Sequence, residues 1–552
     1  MKHKSILLML ALVWLNYLNL HAQQPTINLY DSAQVYYKKK DFKKASQFFD
    51  TYYIEQKNGQ SNYDTYRAAV SSAHIGNMER ARYYIKRSTE IGYDLGNYNY
   101  FADDPLNLPL RSLPEWKQFI EPFKIKADSA TLALKIITNQ LNDSTIRINP
   151  SSSKSDRYWY DLSKKLSSAQ LINKIKQFKA YTSPKKKNFW TLYQIKVNDT
   201  LTVPFLVHIP KGYDAQRKTP LYVYLHGAVI NRLKFTPPGY IPNSIETKIM
   251  DKVLDDAFVI YPFGRKDFGW LYQQDAFETI LRELTFVKSL YNIDDDKIYI
   301  SGHSNGGSGA FWFALNQPSS FASFAGFNFL PRIYGNNTPL DNLNNGTTFY
   351  GVSGSKDAIF PLETVNSIYS FATSHGANWK NFVRSGNHAL AVMEKDSINF
   401  VFDLLAKEKR NPFPKKIQWE TNNLRNGRNA WVAITALDTL LQKATWHTTQ
   451  SPILRQNGKE NTVDFYPNRS GAIIATASGN HIDIKTSRVA KIKLYISPYM
   501  FDLHKPLTVT INSKDKLSLT LKADNTTIVK QFIETRDRSF IVSNIIELTV
   551  KK

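Results

Sequence analysis

The 552-residue chain contains no cysteine. It therefore forms no disulfide bonds and cannot be lipid-anchored through an N-terminal cysteine, which excludes a disulfide-stapled extracellular domain of the animal type. The folded state must be stabilised by ordinary core burial. A hydrophobic content of 42% is sufficient for packed cores and excludes a mainly disordered protein. At this length we expect three or four domains.

Long apolar runs are also scarce. The longest is Ile6 to Leu15, about half of the roughly 20 residues that a membrane-spanning helix needs. It follows Lys2 and Lys4, and the small residue Ala22 offers a cleavage site after it. We predict a signal peptide over residues 1–22 and a mature protein that does not span a membrane, exported to a bacterial periplasm or secreted.

Sequence motifs for metals and nucleotide cofactors are missing as well. The eleven histidines are scattered, none forms an H-E-x-x-H pattern, and there are no cysteine ligands. No phosphate-binding P-loop and no dinucleotide fingerprint occur. We therefore expect neither a metal nor a cofactor.

Positive charge is abundant. The 71 lysines and arginines give a formal net charge of +24, which raises the question of nucleic acid. The basic residues are spread along the chain, however, and the densest runs, Lys38 to Lys40 and Lys185 to Lys187, are short and far apart. We expect a solvated basic surface, suited to acidic glycans or anionic envelope surfaces, and no nucleic-acid binding.

A helical repeat is indicated in residues 25–125. The segment Asp41 to Ala45 returns as Asn77 to Ala81, an offset of 36 residues, and a large apolar residue follows four positions after each alanine. The pattern resembles the tetratricopeptide helix-turn-helix repeat, which has a period of about 34 residues. Two copies are too few to stand alone, so we expect them to pack on the segment Pro105 to Phe123. Two roles stay open: a site for peptide or protein docking, or a helical cap.

The period of the hydrophobic pattern changes along the rest of the chain. Residues 126–190 read as a helical connecting region. Residues 191–410 alternate apolar strands, such as Leu221 to Leu225, with helical stretches, such as Gln274 to Leu290, which predicts a doubly wound parallel α/β sheet. Residues 411–552 contain short β-rich runs separated by polar turns, which predicts a C-terminal all-β, sandwich-like domain.

The clearest chemical motif has the form G-x-S-x-G around Ser304. A β-branched strand, Lys297 to Ile300, runs into Gly302, and a helix-compatible stretch follows Gly306. Strand, tight turn and helix in this order are what a nucleophile elbow requires. We predict that Ser304 is a nucleophile and that the backbone N–H of Asn305 faces the developing oxyanion; the alternative is a plain glycine-rich turn.

A second oxyanion donor should follow an earlier strand. Leu225 is the last residue of the apolar run, and Gly227 lets the chain turn back beneath a substrate carbonyl. The N–H of Gly227 or Ala228 is therefore the candidate. His226 fits better as a packed, hydrogen-bonded loop residue than as a base, although a contact with substrate stays open.

The acid and the base of a triad should follow the serine in the order acid, then histidine. Three carboxylates lie between Ser304 and His388: Asp341 in an asparagine-rich loop, Glu363 within a helical stretch, and Asp357 just after an apolar strand. Catalytic groups gather at the carboxyl ends of parallel strands, so we assign the acid to Asp357. His375 is explained as a helix-terminal residue, which leaves His388, in a glycine-containing loop, as the base.

With these residues in place, the region from about 190 to 410 resembles the polyhydroxybutyrate-depolymerase and feruloyl-esterase-like branch of the α/β-hydrolases. The segments that carry the resemblance are Pro210 to Tyr213, Leu225 to Gly227, Tyr291 to Asp294, Gly302 to Gly307, Gly354 to Asp357 and Gly386 to His388. The resemblance implies an esterase fold with the triad Ser304, Asp357 and His388. It also places Trp270 near the substrate cleft, although a core position is an equal alternative.

Three functions remain open from the sequence. The first is hydrolysis of acyl esters on a polysaccharide or a similar compound. The second is a serine peptidase, because esterases and peptidases share the same triad. The third is a binding or scaffold protein with a degenerate hydrolase core, a possibility that loss of a triad residue would have favoured.

Overall fold

The computed structural model describes residues 29–55, 62–91, 98–125, 128, 153–184, 186–198, 201–227, 235–236, 249–265, 270, 274–333, 337–390, 395–447, 450–456, 458–466 and 468–551. The predicted signal peptide lies outside these residues. The chain divides into two compact units, Met1–Leu132 and Ala133–Lys552. Each is described by itself below.

The first unit is helical. Its helices are α1 Leu29–Lys38, α2 Phe42–Glu55, α3 Asn62–His74, α4 Met78–Ile91 and α5 Tyr98–Ala102, followed by a 3-10 helix over Pro105–Leu110 and helical residues 114–125. The expected packing on the segment after the repeats is confirmed, because Leu113, Phe119 and Phe123 share one buried cluster with Tyr66 of α3 and Ala45 of α2.

The offset of 36 residues recurs in the backbone. Lys40 and Gly76, which precede α2 and α4, both have left-handed φ angles of 60° and 78°. Asp41 and Asn77 then cap these two helices by accepting backbone N–H bonds with their side chains. The repeat predicted from sequence is therefore a structural repeat of two helical hairpins. Its assignment to the tetratricopeptide class stays a prediction.

The second unit begins with helices α6 Ser153–Lys165 and α7 Ser168–Lys176 and continues into an α/β region. The strands of this region are β1 Phe189–Lys196, β2 Thr202–Ile209, β3 Thr219–Leu225, β4 Phe235–Thr236, β5 Phe258–Pro262, β6 Gly264–Arg265, β7 Ile293–His303, β8 Ser323–Phe327, β9 Phe349–Gly354 and β10 Trp379–Arg384. Its helices are α8 Asp251–Leu254, α9 Gln274–Leu290, α10 Asn305–Asn316, α11 Leu362–Ser374 and α12 Lys395–Lys407.

All of these strands except β4 and β6, which pair with each other, form a sheet in the order β1-β2-β5-β3-β7-β8-β9-β10. From β5 to β10 the neighbours are parallel, but β1 pairs antiparallel with β2 and β2 with β5. The expectation of a wholly parallel sheet is corrected here: the sheet is mixed. The connection between β1 and β2 is too short for a crossover, so these strands form a hairpin.

Apolar side chains cover both faces of this sheet. Along β3, Leu221 and Val223 pack in one cluster with residues of α9, α10 and α11, whereas Tyr222 and Tyr224 pack in another with residues of α8 and α12. Helices on both faces bury a central parallel strand completely, which explains its continuous apolar sequence. The carboxyl ends of the central strands therefore form an edge at which polar residues can meet.

The C-terminal region is β-rich. Strands β11 Lys416–Thr421, β16 Gly471–Ser478, β17 His481–Ser487, β19 Leu507–Ile511 and β20 Asp515–Leu519 form one sheet, and β12 Arg428–Asn429, β13 Val432–Leu437, β18 Val489–Ile496 and β21 Asn544–Thr549 form a second. Both sheets contribute to one buried cluster. A hairpin of β14 Ile453–Gln456 and β15 Lys459–Thr462 packs instead on α11, where the Thr364 hydroxyl donates to the Arg455 carbonyl at 2.8 Å.

The prediction of an all-β C-terminal region is wrong at one place, because α13 Asn525–Thr535 lies before the last strand. Asp524 caps this helix, and its carboxylate accepts the N–H bonds of Thr526 and Thr527. The helix buries Val529 and Phe532 against Trp159 of α6. Helices α6 and α7 of the predicted connecting region are thus packed on the C-terminal region. Sequence periodicity does not reveal this long-range contact.

Candidate active site

The nucleophile candidate, Ser304, stands between β7 and α10 with φ 55° and ψ −120°. A non-glycine residue in this part of φ,ψ space is strained, and such strain clusters at functional sites. Close packing explains the flanking glycines. A Cβ on Gly302 would lie 2.4 Å from the backbone of Gly306, and a Cβ on Gly306 would lie 2.0 Å from the carbonyl oxygen of Leu225. The turn is therefore a nucleophile elbow held against the end of β3.

The acid candidate, Asp357, follows β9 at the same edge of the sheet. Its carboxylate is almost wholly buried, with a side-chain exposure of 1%. The Oδ1 atom accepts the backbone N–H bonds of Ile359 and Phe360 at 2.8 and 2.9 Å. These bonds fix the carboxylate and leave its Oδ2 atom directed at a histidine.

That histidine is His388, which follows β10. Its Nδ1 atom lies 2.9 Å from Asp357 Oδ2, and its Nε2 atom lies 2.9 Å from Ser304 Oγ. The ring also lies beside the Phe360 ring at 5.3 Å. The structure thus joins Ser304, Asp357 and His388, the three residues predicted from the sequence, in one chain of hydrogen bonds. With Nδ1–H donating to the carboxylate, Nε2 is free to take the serine proton.

The rejected candidates lie in other contacts. Asp341 is in the 3-10 helix Leu340–Asn344. Glu363 lies on α11, where its carboxylate accepts the backbone N–H of Gly458 at 3.4 Å. The ring of His375 bonds through Nδ1 to the Phe371 carbonyl at the end of α11. His375 therefore ends a helix and Glu363 lies within one, as the sequence indicated, whereas Asp341 lies in a 3-10 helix and not in an open loop.

Two of the residues proposed for the oxyanion site, Asn305 and Gly227, lie at or next to the elbow. Asn305 is the first residue of α10, so its backbone N–H lies at the helix N-terminus, where no partner within the helix exists for it. Gly227 follows His226, whose carbonyl oxygen would lie 2.6 Å from a Cβ on Gly306. The loop after β3 therefore adjoins the elbow, as an oxyanion loop must. Ala228, the other predicted donor, lies outside the described residues.

His226 and Trp270 support this loop from inside the protein. Each is 2% exposed. The Trp270 indole N–H donates to the His226 carbonyl at 2.8 Å, and the backbone N–H of Gly264 donates to His226 Nε2 at 3.0 Å. The structure therefore places both residues in the core behind the loop after β3, where they hold its backbone. Of the two positions left open for Trp270, the core position is the one observed.

A buried carboxyl group lies behind Trp270. Glu283 of α9 has no accessible surface, and neither of its carboxyl oxygens has a hydrogen-bond partner among the residues that the structure describes. It lines a small cavity together with Trp270, Phe263 and Thr279. Burial raises the pKa of Glu283 well above its usual range, because a low-dielectric surrounding favours the neutral form of a carboxyl group.

The free energy of unfolding of Glu283→Gln, relative to that of the wild type, is expected to increase progressively as the pH rises above about 4.5. The unfolded state releases the Glu283 proton there while the folded state keeps it, so wild-type stability falls by up to about 1.4 kcal/mol per pH unit relative to the variant. Urea unfolding of both proteins between pH 4.5 and 8.5 measures the difference. Glu278→Gln, five residues earlier on α9 and ion-paired with Arg425, should show no such trend. Parallel curves for Glu283→Gln and wild type would contradict the prediction.

The described residues contain no group of three or more histidine and carboxylate side chains arranged to hold a metal ion. Within the same part of the chain, no helix is long and apolar enough to cross a bilayer. The arrangement at the sheet edge has what acyl transfer requires from a protein: an activated hydroxyl, a base whose tautomer is fixed, and backbone N–H groups at the elbow.

Comparison with known proteins gives the class. Residues 201–339 match the Esterase family, a segment that includes Ser304 and the loop after β3 and ends before Asp357. The elbow, the hydrogen-bonded triad and this match indicate that the α/β region contains a serine-hydrolase site.

Similar solved structures include a thermostable esterase, 16% identical over 40% of this chain and 63% of that chain, with a TM-score of 0.33. An acylaminoacyl peptidase of Pyrococcus horikoshii is 16% identical over 40% of this chain and 41% of that one, with a TM-score of 0.33. A ferulic acid esterase of Anaeromyces mucronatus is 13% identical over 42% of this chain and 94% of that one, with a TM-score of 0.32. The chain thus spans less than two thirds of the first two of these proteins. No curated protein matched its sequence.

Proposed function

We propose that the protein is an exported carboxylic-ester hydrolase that acts through an acyl-enzyme on Ser304. The observation that carries the proposal is the continuous hydrogen-bonded chain from Asp357 through His388 to the hydroxyl of Ser304. The hydroxyl stands on a strained elbow, directly before the backbone N–H of Asn305 at the N-terminus of α10. The match of residues 201–339 to an esterase family favours an ester as the substrate.

In the first half of the reaction, Ser304 Oγ attacks the ester carbonyl carbon while His388 Nε2 takes the hydroxyl proton. Asp357 stabilises the imidazolium that forms and holds its ring in place. The carbonyl oxygen becomes an oxyanion, which the backbone N–H of Asn305 and a donor from the loop at Gly227 and Ala228 stabilise. His388 then gives its proton to the departing alcohol oxygen as the C–O bond breaks.

In the second half, water replaces the alcohol. His388 Nε2 takes a proton from the water as its oxygen attacks the acyl carbonyl of the ester on Ser304. The tetrahedral intermediate collapses, the bond to Ser304 Oγ breaks, and the proton returns to the serine. The carboxylic acid is released, and the site regains the hydrogen bonds seen in this structure.

Acyl groups on a polysaccharide, or similar esters, are the proposed substrates. The support is the sequence resemblance to the feruloyl-esterase-like branch and the net charge of +24, which favours attraction to an acidic polymer. Export is proposed from the segment 1–22, and the helical hairpins of the first unit are proposed as a surface for peptide or protein docking.

The test compares an ester with an amide. Purified residues 23–552 are assayed with short-chain p-nitrophenyl esters and with peptide p-nitroanilides, and Ser304→Ala provides the background. Turnover of the esters that disappears in the variant, with little or none of the anilides, is the expected result. Preference for the anilides would make the protein a peptidase. No turnover of either by a folded chain would favour a binding protein.

A further inference from the structure

Asn328 is a buried polar residue beside the triad that the sequence motifs did not reveal. It follows β8 directly, is 1% exposed, and has a left-handed φ of 45°. Asparagine tolerates this conformation better than most residues, and here it turns the side chain towards the loops that follow the next two strands. These loops contain Asp357 and His388.

Asn328 contacts both the end of β9, which the loop of Asp357 follows, and the loop of His388. At β9, its side-chain Oδ1 atom accepts the backbone N–H of Gly354 at 2.8 Å, and its backbone N–H donates to the Val352 carbonyl at 2.8 Å. On the base side, its Nδ2 atom donates to the carbonyl oxygens of Asn387 at 3.0 Å and His388 at 2.9 Å. The amide thus uses both its donor and its acceptor capacity.

A second side chain meets the same carbonyl. His303, the residue before the nucleophile, places its Nε2 atom 2.8 Å from the carbonyl oxygen of His388, and the two imidazole rings lie 5.1 Å apart. Because a carbonyl only accepts, Nε2 of His303 carries the proton in this bond. The backbone of His388 is therefore held from the nucleophile side by His303 and from the acid side by Asn328.

We propose that Asn328, with His303, is a positioning residue that sets the geometry of the triad. The inference rests on the proposed function of Ser304, Asp357 and His388 but adds residues that act only through His388. The bonds of Asn328 fix the distance between the acid loop and the base loop. Small displacements of a catalytic group, on the order of 1 Å, lower rates by up to about 100-fold, so loss of these bonds lowers the catalytic rate without removing any reacting atom.

Asn328→Gly tests the side chain separately from the backbone, because glycine adopts a positive φ without strain. The expected result is a fall in kcat of about 10- to 100-fold with KM changed less than about twofold. Asn512→Gly is the matched control: Asn512 has φ 51°, its Oδ1 accepts the N–H of Thr486 at 2.8 Å, and it lies in the C-terminal β-rich region. Its kinetics should equal those of the wild type, even if its melting temperature falls.

Asn328→Asp provides a readout that a purely structural role would not move. The carboxylate can still accept from Gly354 but cannot donate to His388, and its charge joins that of Asp357 in favouring the protonated imidazole. The acid limb of the kcat/KM profile is therefore expected to move to higher pH. Asn512→Asp should leave the profile in place.

His303 gives a second variant pair in case Asn328→Gly does not fold. His303→Phe removes the donor, and His303→Gln keeps one. We expect kcat of the glutamine variant to be at least about fivefold higher than kcat of the phenylalanine variant.

The rate at which a fluorophosphonate labels Ser304 separates this proposal from the proposed function. Labelling forms a bond from Ser304 Oγ to phosphorus, expels fluoride and transfers the serine proton to His388, so it needs the triad but no ester. Slower labelling in Asn328→Gly but not in Asn512→Gly supports positioning, even if esters prove not to be substrates. Equal labelling and equal kcat in Asn328→Gly and wild type would overturn it, as would equal losses in the Asn328 and Asn512 variants.

Discussion

Replacement of His388 by alanine is expected to lower kcat for an ester substrate by about 10⁴-fold or more. The imidazole contacts both Ser304 Oγ and Asp357 Oδ2, at 2.9 Å in each case. Without the imidazole, no base stands at the position of Nε2 to take the proton of Ser304, and no acid stands there to protonate the leaving alcohol. The residual rate, above that in water, comes from the backbone donors at the elbow. Initial rates with p-nitrophenyl acetate, corrected for the background of Ser304→Ala, measure the loss.

Asp357→Asn completes this test. The amide keeps the shape of the carboxylate but cannot stabilise the imidazolium, and it favours the wrong histidine tautomer, so a loss of about 10⁴-fold in kcat is expected. Glu363→Gln is the matched control, because this carboxylate lies on α11, six positions along the chain, and does not contact His388. A small effect at Asp357, or an equally large effect at Glu363, would contradict the assignment of the acid.

Arg410→Ala is expected to destabilise the second unit by about 3–5 kcal/mol. The guanidinium of Arg410 is 6% exposed and binds Asp537 through two bonds, Nη1–Oδ2 at 2.6 Å and Nη2–Oδ1 at 2.9 Å. It also donates to Asp296 and to the Ser319 carbonyl. Removal of the arginine leaves the buried Asp537 carboxylate unpaired, which costs more than the pair contributes. Urea unfolding monitored by tryptophan fluorescence measures the change.

Two companion variants make this prediction specific. Arg425 also joins the α/β region to the C-terminal region, through Asp275 and Glu278, but it is 49% exposed, so Arg425→Ala should cost less than about 1 kcal/mol. The double replacement Arg410→Met with Asp537→Asn should recover most of the loss of Arg410→Ala, because the buried pair is then removed as a whole and no charged Asp537 is left without its arginine. Equal effects at Arg410 and Arg425 would show that burial is not the cause.

The pH dependence follows from the same pair. Burial raises the pKa of the Asp537 carboxyl, but the charges of Arg410 and Lys288 outweigh it and hold that pKa well below its usual range. A lowered carboxyl pKa contributes stability above about pH 4, and this contribution is lost as the pH falls further. The Arg410→Ala variant should therefore lose less of its remaining stability between pH 4 and pH 2 than the wild type loses.

The alternation of strands and helices in the α/β region could be read from the sequence because local patterns specify it. Helix α9 has the bounds that the sequence predicts, Gln274–Leu290. Strand β8, the antiparallel direction of β1 and the helix α13 were not predicted. Pairing direction at the edge of a sheet depends on the connection and on the neighbouring strand, and α13 gains its burial from Trp159, a residue far away in the chain. Its cap, Asp524, was the local signal available.

The candidate site divides in the same way. The sequence by itself determined the elbow, since Ser304 between Gly302 and Gly306 at a strand end is a local arrangement, and the chain order of the fold then restricted the acid and base to a few residues. Only the tertiary structure decided that Trp270 lies in the core behind the loop after β3 and that Asn328 joins the chain segments that carry Asp357 and His388. Asn328 and His388 are 60 residues apart, and no sequence motif around either residue indicates that the two are in contact. Local sequence dictates backbone conformation over a few residues, whereas contacts between distant side chains exist only once the whole sheet has brought the strand ends together.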